Sequence, residues 1–181
     1  MQKLEKSSHD ASGLPVSVAL SDLGQNSLCI GETEVHIFQV TLDERLVKDL
    51  WPILSEDECA RANRFRFVKD RNHFIIARGV LRTILAAYLS VGPGELQFSY
   101  ADKGKPFLKH PELHSIRFNL AHSHEMAIYA ISAIRELGVD LEFVSAEVAD
   151  EQVAERFFSP AEVSVLRSVV PELKNQAFFN C

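Results

Sequence analysis

The sequence lacks the features that mark several large protein classes. Its 181 residues include three cysteines, Cys29, Cys59 and Cys181. An odd number at wide spacing argues against a disulfide framework and against a paired zinc ligand set, and it fits a reducing compartment. No apolar run is long enough to span a bilayer. No apolar stretch follows the early lysines, so no secretory signal is expected. Basic residues do not predominate: 19 Lys and Arg stand against 25 Asp and Glu, a formal net charge of -6. Bulk attraction to nucleic acid is therefore not expected. Neither a P-loop nor a G-x-G-x-x-G is present, which leaves the common nucleotide-binding folds without support. What remains, 46% hydrophobic and 24% charged, has the composition of a soluble globular protein. The length allows one domain or two small halves. A cytoplasmic protein without membrane or nucleic-acid partners is the expectation.

The chain changes texture along its length. Met1 to about Gly13 is polar and patternless and reads as a loose tail within a variable segment, residues 1–31. Thr33 to Val40 alternates as a strand does, with Val35, Ile37 and Gln39 on one side. Leu42 to Leu54 reads as a short helix interrupted near Pro52. Ser55-Glu56-Asp57-Glu58 has the form of a capping box, so a helix should start there and run towards Phe65. Asp70 is placed to cap a longer helix whose apolar positions, Phe74, Ala77, Leu81, Ile84, Leu85 and Tyr88, keep helical spacing. Gly92-Pro93-Gly94 should end it. Strands are expected at Leu96–Tyr100, Ser115–His122, Met126–Ile134 and Leu137–Val144, with a turn at Asp102–Pro106. Helix returns at Glu147–Phe157, and a second capping box, Ser159-Pro160-Ala161-Glu162, opens another. Pro171 breaks that helix, and Glu172 to Cys181 begins the next.

The two boxes stand 104 residues apart. Each opens a short helix, then a break, then a longer helix, and the same offset sets Phe74 on Phe178. This reads as an internal repeat: an N-terminal half over 32–133 and the start of a C-terminal half over 134–181. The second long helix reaches Cys181 without a C-cap, so the second half is expected to be incomplete and Phe178 and Phe179 only partly covered.

Three groups of residues could carry chemistry. In Gly138-Val139-Asp140-Leu141-Glu142, strand alternation would set Asp140 and Glu142 on one face. Paired carboxylates suit a hard divalent cation such as Mg²⁺; the alternative is a half-exposed edge with solvated acids. In Asn119-Leu120-Ala121-His122-Ser123-His124, the H-x-H spacing suits zinc, a phosphate contact or simply a surface turn. Arg61, Arg64, Arg66, Lys69, Arg71, Arg78 and Arg82 make a local basic run, with Arg71, Arg78 and Arg82 spaced onto one helix face; solvated arginines are the plain alternative. Lys103 and Lys105 flank Gly104 in a turn. Together, a cation site, a histidine turn and a basic surface describe a polyphosphate ligand and phosphoryl-type chemistry.

At this point the sequence resembles the surfactin-type 4'-phosphopantetheinyl transferases. Gly138 to Glu142 is similar to their G-V/I-D-I/L-E motif. Phe118-Asn119-Leu120-Ala121-His122-Ser123 resembles F-N-I/L-S-H-S, with Ala121 in place of a serine. Gly104-Lys105-Pro106 matches their G-K-P turn, and Arg156-Phe157-Phe158-Ser159-Pro160-Ala161-Glu162 their R-F-F-S/T-x-x-E segment. The family's W-x-x-K-E-A/S helix would follow the aromatic stretch at Phe178–Cys181. The resemblance implies an α+β fold of two similar halves related by a pseudo-twofold axis. It implies a monomer that uses coenzyme A and Mg²⁺ to modify an apo acyl or peptidyl carrier protein. Asp140 and Glu142 would hold the metal and, with His122, make up the catalytic set. Arg78, Lys103, Gly104, Lys105, Pro106, Asn119, Ala121 and His122 would contact the coenzyme, Arg78 at its 3'-phosphate. Glu162 would cap its helix or support the metal site. As given, the chain is expected to be inactive alone. Two further readings are a non-catalytic fragment that binds coenzyme A or a carrier, and a hydrolase using His122, His124 and Asp140.

Overall fold

The computed structural model describes residues 28–102, 104–109, 116–143 and 151–179, together with the backbone of 3–7 and 16–19. It is an α+β arrangement in two compact units, residues 1–141 and 142–181.

The first unit is built on one antiparallel sheet. Its strands are β1 (Lys3–Ser7), β2 (Val16–Ala19), β3 (Val35–Thr41), β6 (Arg117–Ser123) and β7 (Met126–Ser132), in the order β2-β1-β3-β7-β6. A hairpin of β4 (Phe98–Tyr100) and β5 (Pro106–Leu108) stands apart from it. The expected loose tail is thus corrected over Lys3–Ser7. Polar sequence does not prevent pairing, because a ladder is made by backbone groups and β3 offers β1 a free edge. In β3 the buried residues are His36, Phe38 and Val40 rather than the alternate set headed by Val35. Their cross-strand partners are Ile131, Tyr129 and Ala127 of β7, so one continuous apolar face results.

That face receives the central helix. The Leu42–Leu54 region divides into two 3-10 turns around α1 (Val47–Leu50), broken at Pro52 as expected. Next comes α2 (Glu56–Ala62), opened by its capping box, then α3 (Val68–Leu89). Asp70 does not cap α3. Phe67 holds that position in extended conformation, and Asp70 lies in the first turn, where a carboxylate favours the helix dipole. The far end stops at Ser90, which takes the left-handed conformation at φ 54°, before Gly92 is reached. From Ile75 to Ala87 every residue of α3 is buried, so this stretch of the helix is enclosed on all sides rather than amphipathic. Tyr129 of β7 donates to the Ala77 carbonyl at 3.0 Å. At Gly79, α1 comes so close that a Cβ would meet Leu50 Cβ at 2.7 Å.

Leu137–Phe143 pairs with no strand among the described residues, contrary to expectation, and Val144 lies outside them. The alternation itself persists: Leu137, Val139 and Leu141 are half-buried, while Gly138, Asp140 and Glu142 are exposed. Period two reports an extended chain beside an apolar surface; a strand also needs a partner for its N–H and C=O groups.

The second unit contains α4 (Glu151–Phe157), α5 (Pro160–Ser168) and α6 (Pro171–Phe179). Residues 147–150 of the expected helix lie outside the described residues. The Ser159 box forms as expected: Ser159 N–H donates to Glu162, and Glu162 N–H to Ser159 Oγ. The expected partial cover of the aromatic pair holds for Phe179, which is half-buried, and is corrected for Phe178. Phe178 is buried with Ala154, Val163 and Leu166, and its ring lies 5.0 Å from Phe158 and 5.3 Å from Phe179. No helix among the described residues is long and apolar enough to cross a membrane.

Candidate functional site

The first unit has a cleft of about 340 Å³ lined by Arg61 of α2, Phe74, Ala77 and Arg78 of α3, Gly104, Lys105 and Pro106 of the β4–β5 turn, and Asn119, Leu120 and His122 of β6. Four separate stretches of sequence converge on it, and each has a local reason to be there.

Strand register accounts for β6. Phe118, Leu120 and His122 pair with Ile131, Tyr129 and Ala127, the face that packs on α3. Side chains alternate, so His122 shares the helix-facing side, at the strand end where the core gives way to solvent. Ala121 falls on the opposite face and does not line the cleft. Asn119 is turned by its own bonds: its Nδ2 donates to the Leu137 carbonyl at 3.3 Å. His124, at φ 54°, belongs to the β6–β7 turn.

The hairpin turn is set by Gly104. Its φ of 80° lies in the left-handed region, which a side chain would strain. Gly104 N–H donates to the Ala101 carbonyl at 2.7 Å, and Ala101 N–H to the Lys105 carbonyl at 3.0 Å. Lys105 Nζ reaches the Leu137 carbonyl at 3.1 Å. Lys103 lies outside the described residues. The Leu137 carbonyl thus receives both Asn119 and Lys105, which ties the start of Gly138–Asp140 to two cleft residues. Asp140 itself is exposed, with Oδ1 accepting from Leu141 N–H at 2.9 Å. Glu142 opens the second unit and is exposed.

Arg78 is the least expected member in its setting. It is 6% exposed, yet Nη1 finds no hydrogen-bond partner among the described residues. Beneath it, Glu58 is 1% exposed and faces two guanidinium groups: Arg78 Nε at 3.3 Å from Oε1 and Arg82 Nε at 2.7 Å from Oε2. Arg82 also donates from Nη1 to the carbonyls of Pro93 and Leu96, both at 2.9 Å. Two arginines against one carboxylate leave a buried positive excess, and the nitrogen without a partner belongs to the arginine that lines the cleft. Burying charge without a partner is costly, so the arrangement calls for an anion. Phe74 beside it carries Arg61 at 5.3 Å and Arg78 at 5.8 Å from its ring centre.

The expected basic helix face therefore divides in three. Arg82 is fully buried and structural. Arg71 lies over the Trp51 ring at 5.2 Å and lines a different groove with Arg45 and Lys48. Only Arg78 lines the cleft. Sequence reasoning read Glu58 as a helix cap alone. It does accept from Ser55 N–H at 3.0 Å, and that local role hid its contact with Arg82, 24 residues away. Removing one member of a buried pair typically costs about 3–5 kcal/mol. Glu58→Gln is expected to lower unfolding stability by about that amount in a urea titration; a loss under about 1 kcal/mol would mean the guanidinium groups do not depend on it.

His73, on α3, is buried, and that burial, with Lys69 and His122 nearby, holds its pKa below the usual histidine value of 6.5. The folded chain therefore keeps it neutral where the unfolded chain takes up a proton. Its contribution to stability is present above 6.5 and is lost as pH falls through that value towards the depressed folded one. Denaturant midpoints should decline between about pH 7.5 and 5.5, and His73→Gln should flatten part of that decline. An unchanged slope would remove His73 as a cause.

Among the described residues no group of three or more His, Cys, Asp or Glu gathers as a metal cluster.

Comparison with known proteins is consistent in one direction. A family profile described as 4'-phosphopantetheinyl transferase, N-terminal, matches residues 44–134. The chain is 42% identical over 156 residues to 4'-phosphopantetheinyl transferase HetI of Nostoc sp., covering 84% of this chain and 66% of that protein. It is 36% identical over 144 residues to a relative in Synechocystis sp., covering 80% and 58%. It is 28% identical over 127 residues to the 4'-phosphopantetheinyl transferase of Bacillus subtilis, covering 70% and 54%. The chain thus spans about half to two thirds of the length of these curated relatives.

Proposed function

The chain belongs to the 4'-phosphopantetheinyl transferase family, and from that premise we propose that it serves to transfer the 4'-phosphopantetheine arm of coenzyme A to a serine of an apo acyl or peptidyl carrier protein. The observation that carries this reading is the buried Arg78 guanidinium, one nitrogen of which lacks a partner among the described residues, in a cleft also lined by Lys105 and His122. Three groups able to carry positive charge, on three elements, suit a ligand with several phosphates. Arg78 is assigned to the 3'-phosphate. Gly104, Lys105, Asn119 and His122 are assigned to the rest of the nucleotide and its pyrophosphate.

Asp140 and Glu142 offer hard oxygen donors two residues apart, a set that fits Mg²⁺, which takes few protein carboxylates and completes its shell with phosphate oxygens and water. When bound, the ion would neutralise charge on the pyrophosphate. The chain's own residues bind and orient. Arg78 and Lys105 hold the nucleotide end, and His122 donates to phosphate. In the transfer, the serine oxygen bonds to the β-phosphorus and gives up its proton to water. The bridging P–O bond breaks, and 3',5'-ADP leaves with the electron pair. Holding the two reactants in line is the larger part of the catalysis.

The test is to incubate a protein containing this chain with coenzyme A, Mg²⁺ and a purified apo carrier protein, and to weigh the carrier by mass spectrometry. Addition of one phosphopantetheine, with 3',5'-ADP in the supernatant, is expected. Hydrolysis of coenzyme A without loading of the carrier would defeat the reading.

A further inference from the structure

Between α2 and α3 the chain exposes a short segment outside the cleft. Phe67 is 61% exposed and Val68 is 68% exposed. Arg64, Arg66 and Lys69 flank them in sequence and are exposed as well, with one acid, Asp70, next along the chain. Arg66 lies over the ring of Phe67 at 5.4 Å, and Lys69 pairs at 3.4 Å with an exposed carboxylate, Glu125. In a chain with a net charge of -6, an exposed apolar pair flanked by three cations stands out from the rest of the sequence. Isolated apolar side chains on a surface need no explanation; one paired with like charges matches the core and rim of a protein interface.

The segment is continuous with the cleft. Phe65 packs on Phe74, ring centres 5.4 Å apart, and Phe74 lines the cleft beside Arg61 and Arg78. Whatever sits on Phe67 therefore sits at the cleft's margin.

We infer that this segment docks the acceptor protein, engaging acidic side chains of the carrier through Arg64, Arg66 and Lys69 and an adjoining apolar side chain through Phe67 and Val68. The inference rests on the transferase reading, which requires an acceptor serine to be brought to the coenzyme's pyrophosphate. Charge complementarity favours an acidic partner. A bilayer is disfavoured because two apolar side chains bury little area, and the chain's overall negative charge opposes an anionic surface.

The test compares the unaltered chain with Arg64→Glu/Arg66→Glu and with Phe67→Ala, none of which lines the cleft. Binding of a purified, negatively charged apo acyl carrier protein is measured by fluorescence anisotropy at low and high salt, and binding of coenzyme A by calorimetry. The charge reversal is expected to weaken carrier binding by about tenfold or more and to abolish its salt dependence. Phe67→Ala should weaken it severalfold, and coenzyme A affinity should stay unchanged in both. Carrier binding by the charge-reversed variant at the unaltered level would overturn the docking assignment while leaving the transferase reading intact. So would binding to phosphatidylglycerol vesicles with none to the carrier. Loss of coenzyme A binding by the unaltered chain would instead count against the transferase reading itself.

Discussion

Asp140→Ala is expected to reduce Mg²⁺-dependent transfer by about a hundredfold or more in an active protein containing this chain. The carboxylate is exposed and, among the described residues, engages the neighbouring Leu141 N–H alone, so its removal should cost the fold little. An exposed side chain that matters greatly to rate and hardly to stability is the signature of a ligand rather than a structural group. The measurement is initial rate against Mg²⁺ concentration, with a denaturation midpoint taken on the same sample. A turnover within a few fold of the parent would remove Asp140 from the chemistry. A matching collapse of stability would recast it as structural.

Arg78→Met should weaken coenzyme A while leaving dephospho-coenzyme A nearly unaffected. A charge-assisted contact contributes about 1.5–3 kcal/mol, which corresponds to about ten- to hundredfold in affinity. Methionine retains an apolar stem beside Phe74 and Phe98, whose rings lie 5.8 Å and 5.4 Å from the guanidinium carbon. Glu58 keeps Arg82 as its partner. Calorimetry with the two ligands on parent and variant separates the outcomes. Equal weakening of both would move Arg78 from the 3'-phosphate to another part of the nucleotide, and no weakening would return it to the fold.

How much of this was legible in the sequence depends on how local the cause is. The two capping boxes, the break at Pro171 and the turn at Gly104 were readable because side chains within three or four residues decide them. The β6–β7 pair was readable because its hairpin is short and its pattern alternates. Leu137–Phe143 shows the limit of that reasoning. Its alternation is genuine, but a ladder depends on a neighbouring strand that no local pattern announces. The same limit explains β1, whose polar sequence pairs through its backbone with a partner more than thirty residues away. At the site, Gly104, Lys105, Pro106, Asn119 and His122 were placed by motif, and they line one cleft with Arg78. The division of labour among Arg71, Arg78 and Arg82 was not legible. Equal spacing on a helix says nothing of which side chain meets a buried carboxylate, which stacks on Trp51 and which keeps a donor open. Glu58 was hidden for a related reason: its capping role gave a sufficient local explanation for a residue whose larger role is tertiary.

The assignment of the cleft is tested most directly by titrating coenzyme A into the isotopically labelled chain and following its amide resonances. Shifts concentrated at Arg78, Gly104, Lys105 and Asn119 to His122 are expected, with saturation at one equivalent. Saturable shifts confined to the groove of Val47, Lys48, Trp51 and Arg71, with the cleft amides undisturbed, would contradict it.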